Sequence, residues 1–234
     1  EKIKTKYVVT CLPDTNAFSQ VIKVPKMKEE ELTSAIYFEA ENHIPLSIEN
    51  VYFDFEVVSS ENKEKNIDVL IVALPKKNVD PYISSIIKSD LIPYSLEIEP
   101  YSIIRVILQD KNIKGSNLLV DFGKNYTLLT IFKNKEIKFS LTSQISSNYL
   151  TKLISNNLKI NISDAEKLKI ENSPKIIDHK KYVMVYLIKE IKKCIDYHNS
   201  YLGSKIERII FSGGGSNLKG LTNIVSNNFD IPVL

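Results

Sequence analysis

The sequence predicts an α/β fold, and three observations carry that prediction. Short β-branched runs alternate with segments of helical period along the whole chain. The second half holds three strand-like runs joined by turns of hairpin length, then a helical stretch, then a further strand–turn–helix. Two of those turns place glycine just past the end of a strand-like run, at Gly123 and at Gly213, Gly214 and Gly215.

Composition bounds the function before any motif does. A chain of 234 residues with 43% hydrophobic content can bury a full core. Its net charge is +3 and its lysines are scattered, so nucleic acid is not an implied partner. Cys11 and Cys194 lie far apart without CxxC spacing, which reads as a reduced, cytoplasmic chain. His43, His179 and His198 stand apart from one another and from paired carboxylates, so no metal cluster is predicted. No Ser, Cys or Lys sits in a nucleophile motif. No apolar run approaches the roughly 18–20 residues that span a bilayer. The sequence opens on Glu1 and enters a strand-like run almost at once, from which a trimmed chain is expected.

The elements follow in order. Residues 6–12 (KYVVTCL) are a β-branched run closed by Pro13 and Asp14, expected to be a core strand with no earlier element to pair with. A strand at 19–24 precedes a helix over 29–43, whose Leu32, Ala35, Ile36, Ala40 and Ile44 recur at helical spacing and whose first turn is acidic. The opposite face, with Glu30, Thr33, Tyr37 and Glu41, is either solvated or, through Tyr37, open to a partner. Strands at 50–59 and 67–73 flank the polar stretch 60–66 as a hairpin with the charges of 61–65 at its tip. A helix over 79–88 completes an α+β unit spanning about 14–92, and a strand at 94–98 follows Pro93.

Strands at 117–121, 127–132 and 136–141, joined by turns at 123–126 and 133–135, make a meander. Helices are predicted at 148–157, 163–170 and 181–201. Ser163 through Glu166 reads as a capping box. In the last of the three, Val185, Ile188, Ile191, Cys194, Ile195 and His198 mark the buried side, and Gly203 suits the C-terminal cap. A strand at 206–211, a glycine turn and a helix over about 217–228 end the chain.

Two turns carry the chemistry. In Asp121-Phe122-Gly123-Lys124-Asn125-Tyr126-Thr127 a strand ends in a carboxylate and doubles back to a hydroxyl. Such a turn wraps backbone N–H groups around a phosphate, with Asp121 holding a magnesium ion through water and Thr127 bonding an oxygen; its plain alternative is a hairpin with glycine at positive φ. In Phe211-Ser212-Gly213-Gly214-Gly215-Ser216-Asn217 the glycines let backbone approach a purine or sugar-phosphate at a helix N-terminus; the alternative is a flexible strand–helix connection. The order strand, DxGxxxT, meander, helical insertion, strand, GGGSN is that of the second half of the actin, Hsp70 and sugar-kinase superfold. The expected fold is therefore the actin-like ATPase (ribonuclease H-like) fold.

A closer resemblance rests on residues 24–32 (VPKMKEEEL), Ala35-Ile36, Phe38-Glu39-Ala40-Glu41, Ile44-Pro45 and Phe53-Asp54-Phe55. Residues 91–100 (LIPYSLEIEP), 163–169 (SDAEKLK) and 213–221 (GGGSNLKGL) add to it. Together these resemble the type IV pilus assembly protein PilM family, over nearly the whole chain. The resemblance implies an FtsA-related, actin-like protein with 1–13 and 93–114 as a remnant of the first subdomain (1A), 14–92 as the inserted subdomain (1C), 115–147 and 203–234 as the second (2A), and 148–202 as a helical subdomain (2B). It implies ATP and magnesium in an interdomain cleft, and a place on the cytoplasmic side of the inner membrane. It also implies partners: the N-terminal cytoplasmic peptide of PilN, the pilus platform protein and the assembly ATPases. It assigns Asp121, Gly123 and Thr127 to the second phosphate loop, Gly213, Gly214, Gly215 and Asn217 to the adenosine loop, and Glu166 and Lys169 to the base and ribose. Lys124, Asn125 and Ser216 lie within the same two loops.

The sequence departs from the family in three places. No stretch corresponds to the LDIGSSSVK-like first phosphate loop, D-I-G-A becomes Asp121-Phe122-Gly123-Lys124, and the Gly-Gly before the next helix becomes Ser146-Ser147. Other readings are a kinase or ATPase of the same superfold, or an FtsA- or GspL-like adapter, and the PKMKEEEL stretch argues against the last two.

Overall fold

The computed structural model describes residues 4–14, 17–58, 66–133, 136–201 and 205–234. The hairpin tip expected at 60–66, except Asn66, the turn residues 134 and 135, and the cap expected at Gly203 lie outside the described residues. The chain forms two compact units, Glu1–Ser102 and Ile103–Leu234.

In the first unit, β1 (Tyr7–Leu12) pairs in parallel with β5 (Ile92–Ile98). The expectation of a core strand is corrected here: Leu12 is buried, but Tyr7 and Val9 are more than half exposed. Their side chains share one face of a two-stranded sheet, and among the described residues β5 is the strand that β1 pairs with. A three-stranded antiparallel sheet follows in the order β2 (Phe18–Pro25), β4 (Asn66–Pro75), β3 (Val51–Val58). Helix α1 (Glu29–His43) lies on it. Ile36 and Ala40 of the helix, and Ile44 just past its end, are buried with Val24, Val69, Ile71 and Ala73, the alternate residues of the strands. Tyr37 is half exposed, yet its ring meets Phe53 edge-on at 5.1 Å. Helix α2 (Lys76–Lys88) begins three residues before the sequence-based start, and α3 (Glu99–Ile107) is an element the sequence reading did not contain.

The second unit is built on one sheet in the order β8 (Glu136–Ser143), β7 (Thr127–Lys133), β6 (Ser116–Phe122), β9 (Ile206–Ser212). The first three are the predicted meander, and β9 returns parallel to β6. β6 and β7 are buried almost without interruption, as strands covered on both faces must be. Between β8 and β9 come α4 (Ser147–Leu158), α5 (Ile162–Glu171) and α6 (Ile177–Tyr201). Leu150 and Ile154 of α4, Ala165 of α5, and Val183, Leu187, Ile191 and Cys194 of α6 share a core with Leu118, Val120 and Phe122 of β6. Two expectations are corrected. Asn161, not Ser163, caps α5, its side chain accepting the Asp164 N–H at 2.8 Å. The buried stripe of α6 includes Met184 and Leu187, leaving Val185 half exposed and Ile188 partly buried, because spacing from Ile191 back by four and seven residues reaches Leu187 and Met184. Burial lowers the proton affinity of His198 and pushes the Cys194 thiol up to about 12.

Candidate functional site

Asp121 and Ser212 stand level across the parallel pair β6 and β9, so the turns leaving both strands emerge at one edge of the sheet. The carboxyl ends of parallel strands are where open α/β sheets receive ligands.

The turn after β6 is closed by its own backbone. The Gly123 N–H donates to the carbonyls of Asp121 and Tyr126, each at 3.0 Å. Gly123 is not in the positive-φ region. Its glycine is required by crowding, since a Cβ would stand 2.7 Å from the Tyr126 carbonyl oxygen. The turn also ties down α4: the N–H groups of Ser147 and Asn148 donate to the carbonyls of Gly123 at 3.1 Å and Lys124 at 2.8 Å. These are helix N-terminal amides that lack intrahelical partners, and the Ser146 hydroxyl satisfies another from Tyr149. Thr127 is fully buried and its Oγ1 donates to the Ile145 carbonyl at 2.5 Å. The hydroxyl assigned to a ligand oxygen is thus a strut beneath the turn. Lys124 and Asn125 are exposed at the tip.

The turn after β9 is built by close approach. Ser212 Oγ donates to Asp121 Oδ1 at 2.7 Å and fixes the carboxylate. Gly213 has φ +82, and a Cβ there would lie 2.6 Å from Asp121 Oδ1. Gly215 is buried, and its Cβ would lie 2.5 Å from the Phe122 carbonyl oxygen and 2.8 Å from the ring. At Gly214 a Cβ would meet nothing within 4 Å. The helix predicted over 217–228 is corrected: residues Gly214–Asn217 form one 3-10 turn, and α7 (Leu221–Ser226) starts after Gly220 at φ +80. Ser216 Oγ bonds back to the Gly213 carbonyl at 2.6 Å and Asn217 Nδ2 to that of Gly214 at 3.3 Å, which closes the turn locally instead of opening a helix.

Helices α4 and α5 supply the facing wall. Lys169 is buried, with Nζ 2.7 Å from Ser147 Oγ, 2.8 Å from Thr151 Oγ1, 2.8 Å from Glu166 Oε2 and 3.3 Å from the Ser147 carbonyl. An ammonium has three protons, so the protein itself consumes them. Thr151 Oγ1 also donates to Glu166 Oε2 at 2.6 Å. Desolvation pushes the Glu166 carboxyl up, but the hydrogen bonds from Lys169 and Thr151 and the nearby positive charges of Lys169 and Lys124 outweigh it and hold it below its ordinary value.

A cavity of about 140 Å³ lies here. Phe122, Leu150, Ile170 and Leu218 give it apolar lining, and Ser147, Glu166, Lys169 and Asn217 polar lining, with Gly214 and Gly215 between. The same residues Ser147, Glu166, Lys169 and Ile170 also line a wider groove of about 870 Å³ that reaches Lys124 and Lys152. Apolar walls with a few fixed polar groups suit a flat heterocycle bearing hydroxyls. Of the sequence-predicted residues, Glu166, Lys169, Gly214, Gly215 and Asn217 line the cavity, Asp121 and Gly213 pack on each other without lining it, and Gly123 and Thr127 serve the neighbouring turn. Ser147, Thr151, Leu150 and Ile170 were missed. Ser147 and Thr151 stand one helical turn apart on α4, and only the approach of Lys169 from α5 gives them a role.

The pattern of the family described as type IV pilus assembly protein PilM matches residues 1–234. The chain belongs to the PilM family. Among solved structures, it is similar to a chain of the PilM–PilN type IV pilus biogenesis complex at 24% identity, covering 99% of this chain and 69% of that one, with a TM-score of 0.85. The MamK double helical filament matches at 17% identity over 68% of this chain and 59% of that chain, TM-score 0.54. MreB5 of Spiroplasma citri bound to ADP matches at 13% identity over 66% and 59%, TM-score 0.51. The fold of this PilM-family chain is actin-like. No helix among its described residues is long and apolar enough to cross a membrane, and no group of three His, Cys, Asp or Glu among them is placed to hold a metal ion.

Proposed function

We propose that this PilM-family chain is part of an actin-like scaffold of the type IV pilus assembly machine that takes ATP at the edge of the β6–β9 sheet and holds the N-terminal cytoplasmic peptide of PilN. The observation that carries the nucleotide is the juxtaposition of the crowded glycine turn with Glu166, whose Oε2 is fixed by Lys169 and Thr151. In this reading the base rests against Ile170 and Leu218 beside Gly214 and Gly215, and Glu166 accepts a ribose hydroxyl. Lys169 acts by holding Glu166 rather than by reaching the ligand. Magnesium keeps several waters and needs only one or two carboxylates beside the phosphates of its nucleotide, and Asp121, held by Ser212, fits that single role. ATP would supply charge and order at this sheet edge, which a scaffold uses without turnover.

The PilN reading is supported by family membership and by likeness to a chain solved in a PilM–PilN complex. The subdomain scheme belongs to the same proposal, with residues 14–92 as the insertion and 148–202 as the helical subdomain. So do the platform protein and the assembly ATPases as further partners, and a place at the cytoplasmic face of the inner membrane reached through them.

The test is a calorimetric titration of the full-length protein with ATP and with a synthetic PilN N-terminal peptide. Saturable binding of both is expected. Absence of peptide binding with and without nucleotide overturns the scaffold, absence of ATP binding overturns the cleft assignment, and rapid multiple turnover favours an enzyme.

A further inference from the structure

Two of the cavity's apolar walls come from parts of the chain far apart in sequence. Ile170 stands on the last turn of α5, and Leu218 follows the 3-10 turn at Gly214–Asn217. Each borders an irregular stretch. Asn172 ends α5 in the left-handed conformation at φ 56, and Gly220 precedes α7 at φ +80. Helix ends and loops of this kind are the parts of a fold that open most readily.

One side chain of α6 reaches both. Lys180, in the first turn of that helix, donates from Nζ to Asn172 Oδ1 at 2.6 Å and to the Lys219 carbonyl at 2.9 Å. Those acceptors lie two residues beyond Ile170 and one beyond Leu218. The Lys169 network ties α5 to α4 and does not extend to residues 213–220. Among the described residues, no other hydrogen bond joins the end of α5 to that loop. Partial withdrawal from water lowers the Lys180 pKa, as expected of an ammonium drawn in between two segments.

We propose that Lys180 is the positioning residue that sets the spacing between Ile170 and Leu218 and thereby selects the base, a role that rests on the nucleotide reading above. Lys180 does not line the cavity, so it acts on the ligand only through the two walls. A planar base gains dispersion from both walls only while both stand at van der Waals distance, and a gap of roughly 0.5–1 Å forfeits about a quarter to a half of that attraction. A purine, which offers more surface to the two walls than a pyrimidine does, loses more when they part. Base preference, and not affinity alone, therefore depends on the clamp.

The test is calorimetric titration of the full-length protein with ATP and, separately, with CTP, for wild type, Lys180→Met, Asn172→Gly and Lys180→Arg, with affinities corrected for the folded fraction from denaturation. Wild type is expected to prefer ATP. Lys180→Met lowers ATP affinity about tenfold, the worth of one charge-assisted hydrogen bond, and CTP affinity less, so the preference narrows. Asn172→Gly keeps the left-handed cap, which glycine adopts freely, removes one acceptor, and narrows the preference in the same direction. Lys180→Arg, whose guanidinium has donors for both oxygens, retains most of it. An equal fall for both nucleotides makes Lys180 a prop of the fold alone and overturns the proposal. Unchanged affinities in folded Lys180→Met or Asn172→Gly protein overturn it as well. Failure of wild type to bind either nucleotide instead overturns the nucleotide reading itself, and base selection by Lys180 with it.

Discussion

The two glycine turns at the end of the second unit's sheet look alike in sequence and differ in what their residues are for. In the turn after β6, the polar groups are spent on the fold: the Gly123 N–H is bonded twice, the Gly123 and Lys124 carbonyls receive α4, and Thr127 is buried on the Ile145 carbonyl. In the turn after β9, the glycines answer to their neighbours one at a time. Gly213 is held at positive φ against Asp121, and Gly215 is pressed onto Phe122, so the fold alone accounts for two of the three. Only Gly214 has open space where a side chain would go, and it lines the cavity. A glycine triplet is therefore not one signal but three, and the middle residue is the one whose identity the fold does not explain.

Gly215→Ala breaks the comparison hardest. Its methyl would collide with the backbone oxygen of Phe122, which cannot move without bending β6, and the expected loss is on the order of 3 kcal/mol in chemical denaturation. Lys169→Met comes next. It leaves the Ser147 carbonyl and Thr151 with a buried donor removed, at a cost of about 2 kcal/mol, and it frees Glu166 to turn, so ATP affinity should fall with stability. The same pair sets a pH dependence. Because the folded Glu166 carboxyl lies below its ordinary value of 4.5, its contribution is complete above that value and is lost as pH falls through the lower one. Acid titration of unfolding in wild type and Glu166→Gln checks this, the variant lacking that component.

Much of the fold was legible because it rests on local signals. The meander was written in β-branched runs with hairpin-length gaps, and α1 in apolar spacing with Pro45 beyond it. Most of what was misread rests on partners distant in sequence. The hydroxyl of Thr127 has the chemistry of a phosphate ligand, and only the approach of Ile145 commits it elsewhere. Val185 fits the α6 stripe by hydrophobicity, and only the placement of α4 and the sheet decides that Leu187 points inward. Gly220 ended the last helix before it could begin at Asn217, a backbone effect that the SNLKG run did disclose. In the candidate site, Glu166 and Lys169 were found by resemblance, whereas Ser147 and Thr151, which hold Lys169, became visible only when α4 and α5 were side by side.

Two smaller effects sharpen the contrast between the turns. Thr127→Val keeps the shape of the strut and removes its donor, leaving the Ile145 carbonyl unpaired; about 1 kcal/mol is expected to be lost in thermal unfolding with ATP affinity unchanged once the folded fraction is accounted for. Gly214→Ala should do the reverse. No atom lies within 4 Å of the added methyl and the backbone is not in the positive-φ region, so stability should change by less than about 0.5 kcal/mol. Gly214 lines the cavity, however, and a base lying against that backbone would lose its closest approach. A fall in ATP affinity at unchanged stability would mark Gly214 as the functional glycine of the three. Unchanged affinity would mean that neither the fold nor the ligand requires glycine at 214, and that the base, if it binds, rests against Ile170 and Leu218 without touching the turn.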